Sequence, residues 1–435
     1  MKNVRVHPAP TLRGEIQVPG DKSVSHRAVM LSALSEGVST LRGLLMGEDV
    51  LSTIGCFREM GVKVDIFPDR AVVHGVGLRG LKPPQKVLDC GNSGTTMRLM
   101  MGILAGQPFE SRLTGDASLN RRPMERVAKP LREMGAQIEE FRASETERVV
   151  KVTGRPLRGI HYKLPVASAQ IKSAVLLAGL YASGETGVEE GTASRDHSER
   201  MLRHKGVALE ISGGLIRLRS GQSLKAEDLQ IPGDISSAAF FLVGGAIGRD
   251  SEILLKNVGI NPTRTGVLEV LQAMGTPFET LNPREIGGEP VADLRVRSAP
   301  LRAARIAGPL IPRLIDEIPI LCIAAAAAQG TTEVRDAEEL RVKETDRIAA
   351  MERELAKLGV KARGVSDGID VTGPANFQAG DFESGTDHRV AMSMAVAATR
   401  APRPSRVLDV DCVQTSYPNF FDQLQSLGAK VEFEG

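Results

Sequence analysis

The sequence predicts an α/β protein of two domains whose central helices are buried. The chain has 435 residues, which is too long for one ordinary hydrophobic core. A polar start followed by an apolar helical run recurs six times, with a spacing of roughly 70 to 80 residues. Each unit also holds a second helix and several strands, so closed α/β domains of three units each fit better than a solenoid.

The buried helices are the first element of each unit. Their runs are apolar on every face, and a helix without a polar face must lie inside a domain. Each run begins near a short polar residue suited to an N-cap. The copies begin near Ser23, Ser93, Ser168, Ser236, Asp316 and Asp387.

A second helix in each unit ends at glycine, which is a C-cap signal. The residues that follow alternate as in a half-exposed strand, for example Val62, Val64 and Ile66. These glycines are Gly61, Gly135, Gly206, Gly275, Gly359 and Gly428.

Composition limits the class of protein. With 42% hydrophobic and 25% charged residues the chain is globular, and 55 basic against 53 acidic residues argue against a nucleic-acid binder. Any anion site must therefore be local. The four cysteines are far apart and lack ligand spacing, so we expect no disulfide framework, no metal site and a reducing cytoplasmic location.

No membrane association is predicted. The longest apolar run, 318–328, is much shorter than the about 20 residues that a membrane-spanning helix needs. Residues 1–20 contain no apolar targeting segment.

Basic side chains stand at two of the predicted helix starts. Lys22 and Arg27 flank the first, and His388 and Arg389 open the sixth. Cations oppose the helix dipole there, so they favour an anionic ligand that completes the site. Solvated surface charges and ordinary caps remain the alternatives at this point.

Other motifs carry less information. The glycine pattern at 75–80 is followed by prolines where a dinucleotide fold needs a helix, so it predicts a turn. The segment 91–95 does not match a nucleophile elbow. We expect His197 and His204 to lie on a surface helix without a metal role, and Lys343 and Arg347 to share a helical face.

Six segments together resemble the 5-enolpyruvylshikimate-3-phosphate synthases of the enolpyruvyl transferase family. They are DKSVSHRA, GNSGTTMRL, GDASLNRRPM, SAQIKSA, RVKETDRI and DHRVAM, in this order and over nearly the whole chain. One such segment would be weak support. Six in register make coincidence improbable.

The resemblance implies an inside-out α/β barrel of two domains, each with three βαβαββ repeats around buried parallel helices. It places residues 20–231 in the first domain, residues 1–19 and 232–435 in the second, and the active site in the cleft between them. It also implies an enzyme with no metal or organic cofactor, acting on two small molecules, and we expect a monomer.

The implied reaction transfers the enolpyruvyl group of phosphoenolpyruvate to the 5-hydroxyl of shikimate 3-phosphate, with release of phosphate. It belongs to the shikimate pathway of aromatic amino-acid biosynthesis and is the target of glyphosate. Gly94 is small, as in glyphosate-sensitive members, so we expect sensitivity. Some members have a lysine in the segment that corresponds to 412–418, where this chain has none.

Site roles follow from the resemblance, motif by motif. Asp316 is the expected base, Glu344 the expected acid, and Lys22 a third catalytic residue. The expected ligands of shikimate 3-phosphate are Lys22, Ser23, Arg27, Ser168, Ala169, Gln170, Asp316 and Lys343. The expected ligands of phosphoenolpyruvate are Lys22, Gly94, Arg122, Gln170, Arg347 and Arg389.

Two other functions remain as alternatives. The sister transferase acting on UDP-N-acetylglucosamine typically has a reactive cysteine in a loop that corresponds to about 111–124, and that segment has none. A non-catalytic binder of phosphorylated ligands is the second. Near-neutral charge and 3% aromatic residues disfavour a nucleic-acid ligand.

Overall fold

The computed structural model describes residues 2–142, 144 and 146–434. Met1 and Gly435, which belong to the predicted second domain, lie outside the described residues. Contacts divide the chain into two compact units. We call Gly20–Ile231 with Glu285–Glu289 the first unit, and Met1–Pro19 with Pro232–Arg284 and Pro290–Gly435 the second unit.

The helices of the described residues are short. They are α1 (Lys22–Ala33), α2 (Glu48–Glu59), α3 (Gly94–Ala105), α4 (Ala117–Arg121), α5 (Glu125–Glu133), α6 (Ala169–Gly179), α7 (His197–His204), α8 (Ile235–Ile247), α9 (Gly266–Ala273), α10 (Ile318–Ala327), α11 (Arg347–Lys357), α12 (His388–Ala398) and α13 (Phe420–Ser426). Turns of 3₁₀-helix lie at Gly308–Arg313, Ile315–Glu317, Glu338–Val342 and Val410–Thr415.

The strands of the described residues form six four-stranded sheets. They are β1 (Asn3–Val6), β2 (Arg13–Ile16), β3 (Glu36–Arg42), β4 (Lys63–Ile66), β5 (Arg70–Val76), β6 (Leu88–Asp89), β7 (Glu110–Thr114), β8 (Gln137–Arg142), β9 (Arg148–Thr153), β10 (His161–Lys163), β11 (Glu185–Glu189), β12 (Leu209–Ser212), β13 (Leu215–Arg219), β14 (Leu229–Gln230), β15 (Glu252–Gly259), β16 (Phe278–Ile286), β17 (Glu289–Arg297), β18 (Arg305–Ile306), β19 (Gly330–Val334), β20 (Lys361–Val365), β21 (Gly368–Gly373), β22 (Asp381–Glu383), β23 (Ser405–Leu408) and β24 (Val431–Glu434).

One strand pattern recurs in all six sheets. The orders are β14-β3-β5-β4, β6-β7-β9-β8 and β10-β11-β13-β12 in the first unit, and β2-β15-β17-β16, β18-β19-β21-β20 and β22-β23-β1-β24 in the second. The first pair of each sheet is parallel, and the third strand is antiparallel to the second. The α/β fold class of repeated βαβαββ units is confirmed.

Each unit has its own hydrophobic core. In the first unit α3 packs against α1 and α6, and in the second α8, α10 and α12 pack against one another. Every residue of α8 and of α12 is buried. The prediction of central helices without a solvent face is therefore correct.

All six buried helices begin within two residues of the predicted positions, and at three of them the named residue is not the cap. Ser93, Ser168 and Asp387 are N-caps whose side chains accept backbone N–H bonds. Asp21 and Asp234, each two residues before the predicted serine, cap α1 and α8. At Asp316 the chain forms a 3₁₀ turn, and α10 begins only at Ile318.

The six glycines predicted to end the outer helices all do so. Each is the second residue after its helix and has a positive φ, between 80° and 111°. The amide of the next residue then donates to the carbonyl five residues before it, as in Val62 to Phe57 and Ala429 to Leu424. This Schellman closure needs a left-handed residue, and glycine adopts that conformation without a Cβ clash.

The predicted turn at 75–80 is present, because β5 ends at Val76 and no helix follows. Among the described residues every helix is too short or too polar to cross a membrane.

Replacing Gly428 by alanine tests the closure. Gly428 has φ of +107°, and a Cβ there would meet no atom closer than 3.7 Å, so the cost is conformational. We expect a loss of about 1 to 2 kcal/mol, measured as a lower urea midpoint. Gly55→Ala is the matched control, because Gly55 is an exposed position of helix α2 with open space around it. The Gly55→Ala variant should be more stable by roughly 0.5 to 1 kcal/mol. A loss of stability in both variants would contradict the explanation by the left-handed conformation of Gly428.

Candidate active site

The start of α1 brings a cation and two carboxylates together. Lys22 is the first residue of the helix, and its Nζ lies 3.1 Å from Oδ2 of Asp49. Asp21 caps the helix by accepting from the Val24 amide at 2.9 Å. The N-cap thus offsets the unfavourable position of Lys22, whose side chain remains 20% exposed.

Arg27 lies one turn below and is buried. Its guanidinium donates to the Ser23 carbonyl at 2.9 Å, to Ser173 Oγ at 2.8 Å and to Ser198 Oγ at 2.7 Å. Burial lowers the pKa of Arg27 to about 10, although Glu199 partly offsets this effect. The serines hold the charged head beside Ser23.

The starts of α3 and α6 face each other through polar side chains. Arg98 Nη1 donates to Gln170 Oε1 at 2.7 Å, and Gln170 Nε2 donates to Thr95 Oγ1 at 3.1 Å. Gly94 is the first residue of α3. A Cβ at Gly94 would lie 3.0 Å from Arg98 Nη1 and 3.6 Å from Arg122 Nη1, so both guanidinium groups lie close to this helix start and Arg98 is the one that a side chain there would crowd.

Arg148 fixes the loop that carries Arg122 through hydrogen bonds to its backbone. Arg148 is completely buried, and it donates to the Arg122 carbonyl at 2.7 Å and to the Leu119 carbonyl at 2.9 Å. The Arg122 side chain itself donates to Asn92 Oδ1 at 2.7 Å. Sequence reasoning missed Arg148, because nothing in its strand pattern distinguishes it from a solvated cation.

At the start of α6, Ser168 is the N-cap and accepts from the Ile171 amide at 3.4 Å. Ala169 and Gln170 follow as the first helical residues, and all three are half-buried. They lie where the free N–H groups of a helix start can bind an anion or a polar ligand.

In the second unit, three carboxylates surround one arginine. Arg347 is buried, and its guanidinium nitrogens lie 2.8 Å from Asp387 Oδ2, 2.7 Å from Glu344 Oε2 and 3.2 Å from Asp316 Oδ1. Burial by itself would lower the pKa of Arg347, but Asp387, Glu344 and Asp316 outweigh it and hold the pKa above its ordinary value. Lys343 Nζ lies 3.6 Å from the same Asp316 oxygen.

Two expectations about this cluster need correction. Lys343 and Arg347 do not share a helical face, because α11 begins at Arg347 and Lys343 has extended backbone before it. They converge on Asp316 nevertheless. Asp316 is not an N-cap, because the 3₁₀ turn that precedes Pro319 moves the helix start onward and leaves the carboxylate beside the two cations.

A buried network below Asp316 was not predicted. Glu317 accepts from Ser236 Oγ and lies 3.8 Å from Arg389 Nη1. Arg264 donates to the same serine at 2.6 Å, and Arg389 also donates to the Asp316 carbonyl at 3.0 Å. Glu317 follows Asp316 directly, so the pair of acids was visible in the sequence, but the burial of the second was not.

The prediction for His197 is wrong in one respect. Both histidines lie on α7, but His197 is buried and its Nδ1 lies 2.8 Å from Glu289 Oε1. His204 is half-exposed and lies 3.1 Å from Glu227. In the described part of the chain no group of three His, Cys, Asp or Glu side chains could hold a metal ion.

The expected site residues thus form two sets, each within one unit. The first unit holds Lys22, Ser23, Arg27, Gly94, Arg122, Ser168, Ala169 and Gln170. The second unit holds Asp316, Lys343, Glu344, Arg347 and Arg389. Both sets lie at or beside the starts of buried helices.

Known proteins match this chain over its whole length. The sequence model of the EPSP synthase (3-phosphoshikimate 1-carboxyvinyltransferase) family matches residues 6–424. The chain belongs to the EPSP synthase family. The 3-phosphoshikimate 1-carboxyvinyltransferase of Pelobacter propionicus is 51% identical over 425 residues, which cover 98% of each chain. That of Methylococcus capsulatus is 52% identical over 426 residues, covering 98% of this chain and 97% of the relative.

Solved structures agree. EPSP synthase from Acinetobacter baumannii superposes with a TM-score of 0.89 at 45% identity and covers all of both chains. The enolpyruvyl transferase NikO from Streptomyces tendae gives a TM-score of 0.82 at 16% identity over 100% of this chain and 99% of NikO, which shows a shared fold alone. Membership of the EPSP synthase family confirms the resemblance and the expected enzyme class, and it decides against both alternative functions.

Asp387 allows a clean test of the charge cluster. Its Oδ1 caps α12, and its Oδ2 pairs with Arg347. Asn keeps the cap acceptor and removes the charge, so we expect Asp387→Asn to lower the free energy of unfolding by about 3 kcal/mol, the lower end for breaking a buried pair, because two carboxylates remain. Denaturant unfolding measures this loss.

Asp346→Asn is the matched control. Asp346 also caps a helix with Oδ1, and its Oδ2 pairs with Arg341 at 2.8 Å, but both side chains are about one-third exposed. An exposed pair contributes about 1 kcal/mol or less. Equal losses in the two variants would show that burial of the Arg347 cluster has no energetic consequence.

Proposed function

We propose that this chain transfers the enolpyruvyl group of phosphoenolpyruvate to the 5-hydroxyl of shikimate 3-phosphate, and that the two sets of residues act on the same pair of substrates. The observation that carries the proposed chemistry is the second-unit cluster, in which two partly exposed carboxylates, Asp316 and Glu344, share Arg347. Acids that retain access to a ligand beside fixed cations suit proton transfer between anionic substrates.

The proposed binding of shikimate 3-phosphate uses the first helix starts. Free N–H groups and hydroxyls there suit a phosphate and a polyol. Arg27 is fixed by two serine side chains, so it can offer its charge beside Ser23 without reordering. The proposed ligands are Lys22, Ser23, Arg27, Ser168, Ala169, Gln170, Asp316 and Lys343.

The proposed phosphoenolpyruvate site is the one with the most arginine side chains. Arginine presents paired donors that match carboxylate and phosphate geometry. Gly94 supports this role, because the Arg98 and Arg122 guanidinium groups both lie within 4 Å of the position that a Cβ there would take. The proposed ligands are Lys22, Gly94, Arg122, Gln170, Arg347 and Arg389.

Proton transfer is proposed in two steps. Asp316 takes the proton of the 5-hydroxyl while the hydroxyl oxygen bonds to C2 of phosphoenolpyruvate. In the same step Glu344 gives a proton to the methylene carbon. The tetrahedral intermediate then loses phosphate from C2, the leaving phosphate takes the proton held by Asp316, and the methyl group returns a proton to Glu344 as the double bond re-forms. Lys22, Lys343 and the arginines stabilise the negative charge throughout.

The proposal also covers the setting of the enzyme. We propose a cytoplasmic monomer that acts on small molecules without nucleic acid or membrane. The nearly balanced charge of the chain supports this part. Sedimentation of the purified chain would test the monomer.

Turnover tests the assignment of acid and base. Purified protein mixed with both substrates should release phosphate, and Asp316→Asn and Glu344→Gln should each lower kcat by about 100-fold or more, because general acid–base catalysis contributes that much. Alanine variants at the same positions check that the amides do not act as weak substitutes. Glu338→Gln is the control, since Glu338 is an exposed carboxylate just before Lys343 on the chain.

Two results would contradict the proposal. Absence of phosphate release from the wild-type protein would refute the reaction. Full turnover in both variants would leave the reaction standing and refute the roles of Asp316 and Glu344.

Arg148 should act as a positioning residue for phosphoenolpyruvate. Arg148→Met removes the two bonds that hold the Arg122 loop, so we expect the KM for phosphoenolpyruvate to rise about tenfold, equivalent to 1.4 kcal/mol. The KM for shikimate 3-phosphate should change less than about twofold. Steady-state kinetics with each substrate varied in turn measures both constants.

The control for Arg148 is Arg142→Met, which removes an exposed arginine from the same hairpin. Arg148→Lys should recover part of the lost affinity, because an ammonium can still donate to one carbonyl. Equal increases in both KM values in a folded variant would indicate general disruption instead of loop positioning.

A further inference from the structure

One buried carboxylate of the second unit is not among the proposed substrate residues. Glu317 directly follows Asp316 and is 0% exposed. It is the N-cap residue of α10, yet its side chain makes no capping hydrogen bond. The carboxylate instead contacts the start of α8 and the start of α12. Its own helix therefore does not explain why an acid stands at this position.

The contact with α8 fixes the orientation of the carboxylate. Ser236 is the second residue of α8, and its Oγ donates to Glu317 Oε1. Arg264 Nη2 donates to the same serine oxygen at 2.6 Å and lies 3.2 Å from Asp234 Oδ1, the cap of α8. Because the serine accepts from Arg264, its single proton is directed to Glu317. The position of Oε1 is thus set by a chain of buried polar groups.

The contact with α12 brings a cation to the same oxygen. Arg389 is the second residue of α12, and its Nη1 lies 3.8 Å from Glu317 Oε1 and donates to the Asp316 carbonyl at 3.0 Å. Only 9% of the arginine side chain is exposed. Within the described part of the chain, no other carboxylate lies at ion-pair distance from this guanidinium. Arg347 has three such partners, whereas Arg389 depends on one.

The negative charge of Glu317 is not needed for packing or capping. Its Oε2 is buried and has no hydrogen-bond partner among the described residues. A buried carboxylate with an unpaired oxygen is costly, and a glutamine would fill the same space and still accept from Ser236. What the charge can do is stabilise Arg389, which stands at a helix start where the dipole opposes a cation.

We propose that Glu317 is a positioning residue for phosphoenolpyruvate and acts through Arg389. The inference rests on the proposed function, in which Arg389 binds that substrate. Glu317 and the Asp316 carbonyl fix Nη1 of the guanidinium, so its other nitrogens can meet the anionic substrate without reordering. Because Glu317 is completely buried, it does not touch the substrate itself.

Kinetics of charge variants test the role. Glu317→Gln keeps the shape and the serine contact but removes the charge. We expect kcat/KM for phosphoenolpyruvate to fall about tenfold, and kcat/KM for shikimate 3-phosphate to fall less than about twofold. Glu317→Asp retains the charge on a shorter side chain and should recover part of the loss.

Glu354→Gln is the matched control. Glu354 is also a carboxylate of the second unit that is 0% exposed, but it lies on α11 and pairs with Arg353 and Lys357. Both kcat/KM values should stay within about twofold of the wild type in this variant. A tenfold loss for phosphoenolpyruvate here as well would show that any buried carboxylate of the unit has this effect, and would overturn the specific role of Glu317.

A second substitution shows whether Glu317 acts through the arginine. In an Arg389→Met background, Glu317→Gln should lower kcat/KM for phosphoenolpyruvate by less than a further factor of about two. A further tenfold loss would mean that Glu317 acts by another route. An unchanged kcat/KM for phosphoenolpyruvate in Glu317→Gln alone would overturn the inference and leave the proposed reaction standing.

Unfolding in urea tests the pairing without any substrate. Arg389→Met should lower the urea midpoint, because it leaves the charge of Glu317 buried and uncompensated. Adding Glu317→Gln should raise the midpoint again. A double variant no more stable than Arg389→Met would refute the pairing, whether or not the wild-type protein releases phosphate. Absence of phosphate release with a restored midpoint would refute the proposed reaction and leave the pairing intact.

Discussion

A helix with no polar face has only its two ends to offer to water or ligands. The six central helices meet this constraint in the same way, because their sides are covered by apolar residues of sheets and neighbouring helices. Polar chemistry is therefore confined to the starts and ends of these helices. The starts carry the proposed substrate residues in both units, and in the first unit the ends surround a cavity.

The Arg347 cluster shows how a helix start can hold more charge than burial ordinarily allows. A buried guanidinium is costly unless it is paired, and here each of its three nitrogens lies beside a carboxylate. One of them, Asp387, also caps α12, so the same side chain fixes the helix and the arginine. In the proposed reaction a protonated Glu344 would bind Arg347 less strongly, which leaves that arginine available to an anionic substrate.

Most of the fold could be predicted from local patterns. Apolar runs identified the buried helices, and glycines identified the C-terminal ends of the six outer helices. Both signals are carried by residues that are close together in the sequence. The starts of α1 and α8 were predicted to within one residue, but their caps were not, because each segment offers an aspartate and a serine two residues apart and only the backbone path decides between them. Asp316 was misplaced because a 3₁₀ turn before a proline looks like a helix start in sequence.

The candidate site was predictable where a motif carried it and not where contacts are distant in sequence. Arg148 acts on a loop 26 residues before it, and Arg264 reaches a serine 28 residues away, so neither pairing leaves a spacing signal. His197 was expected at the surface because its helix is polar, yet Glu289 covers it from 92 residues further along the chain. Burial of a charged group depends on such distant partners.

One feature is the same in all six repeats, and another differs among them. The outer-helix closure at glycine is the same in all six units, whereas the buried-helix starts differ in cap, in neighbouring charge and even in helix type. A purely structural repeat would need no such variation at the starts, because any capping residue satisfies the free N–H groups. Function is therefore expected where the units differ, and the cations and carboxylates of the proposed site lie at those positions.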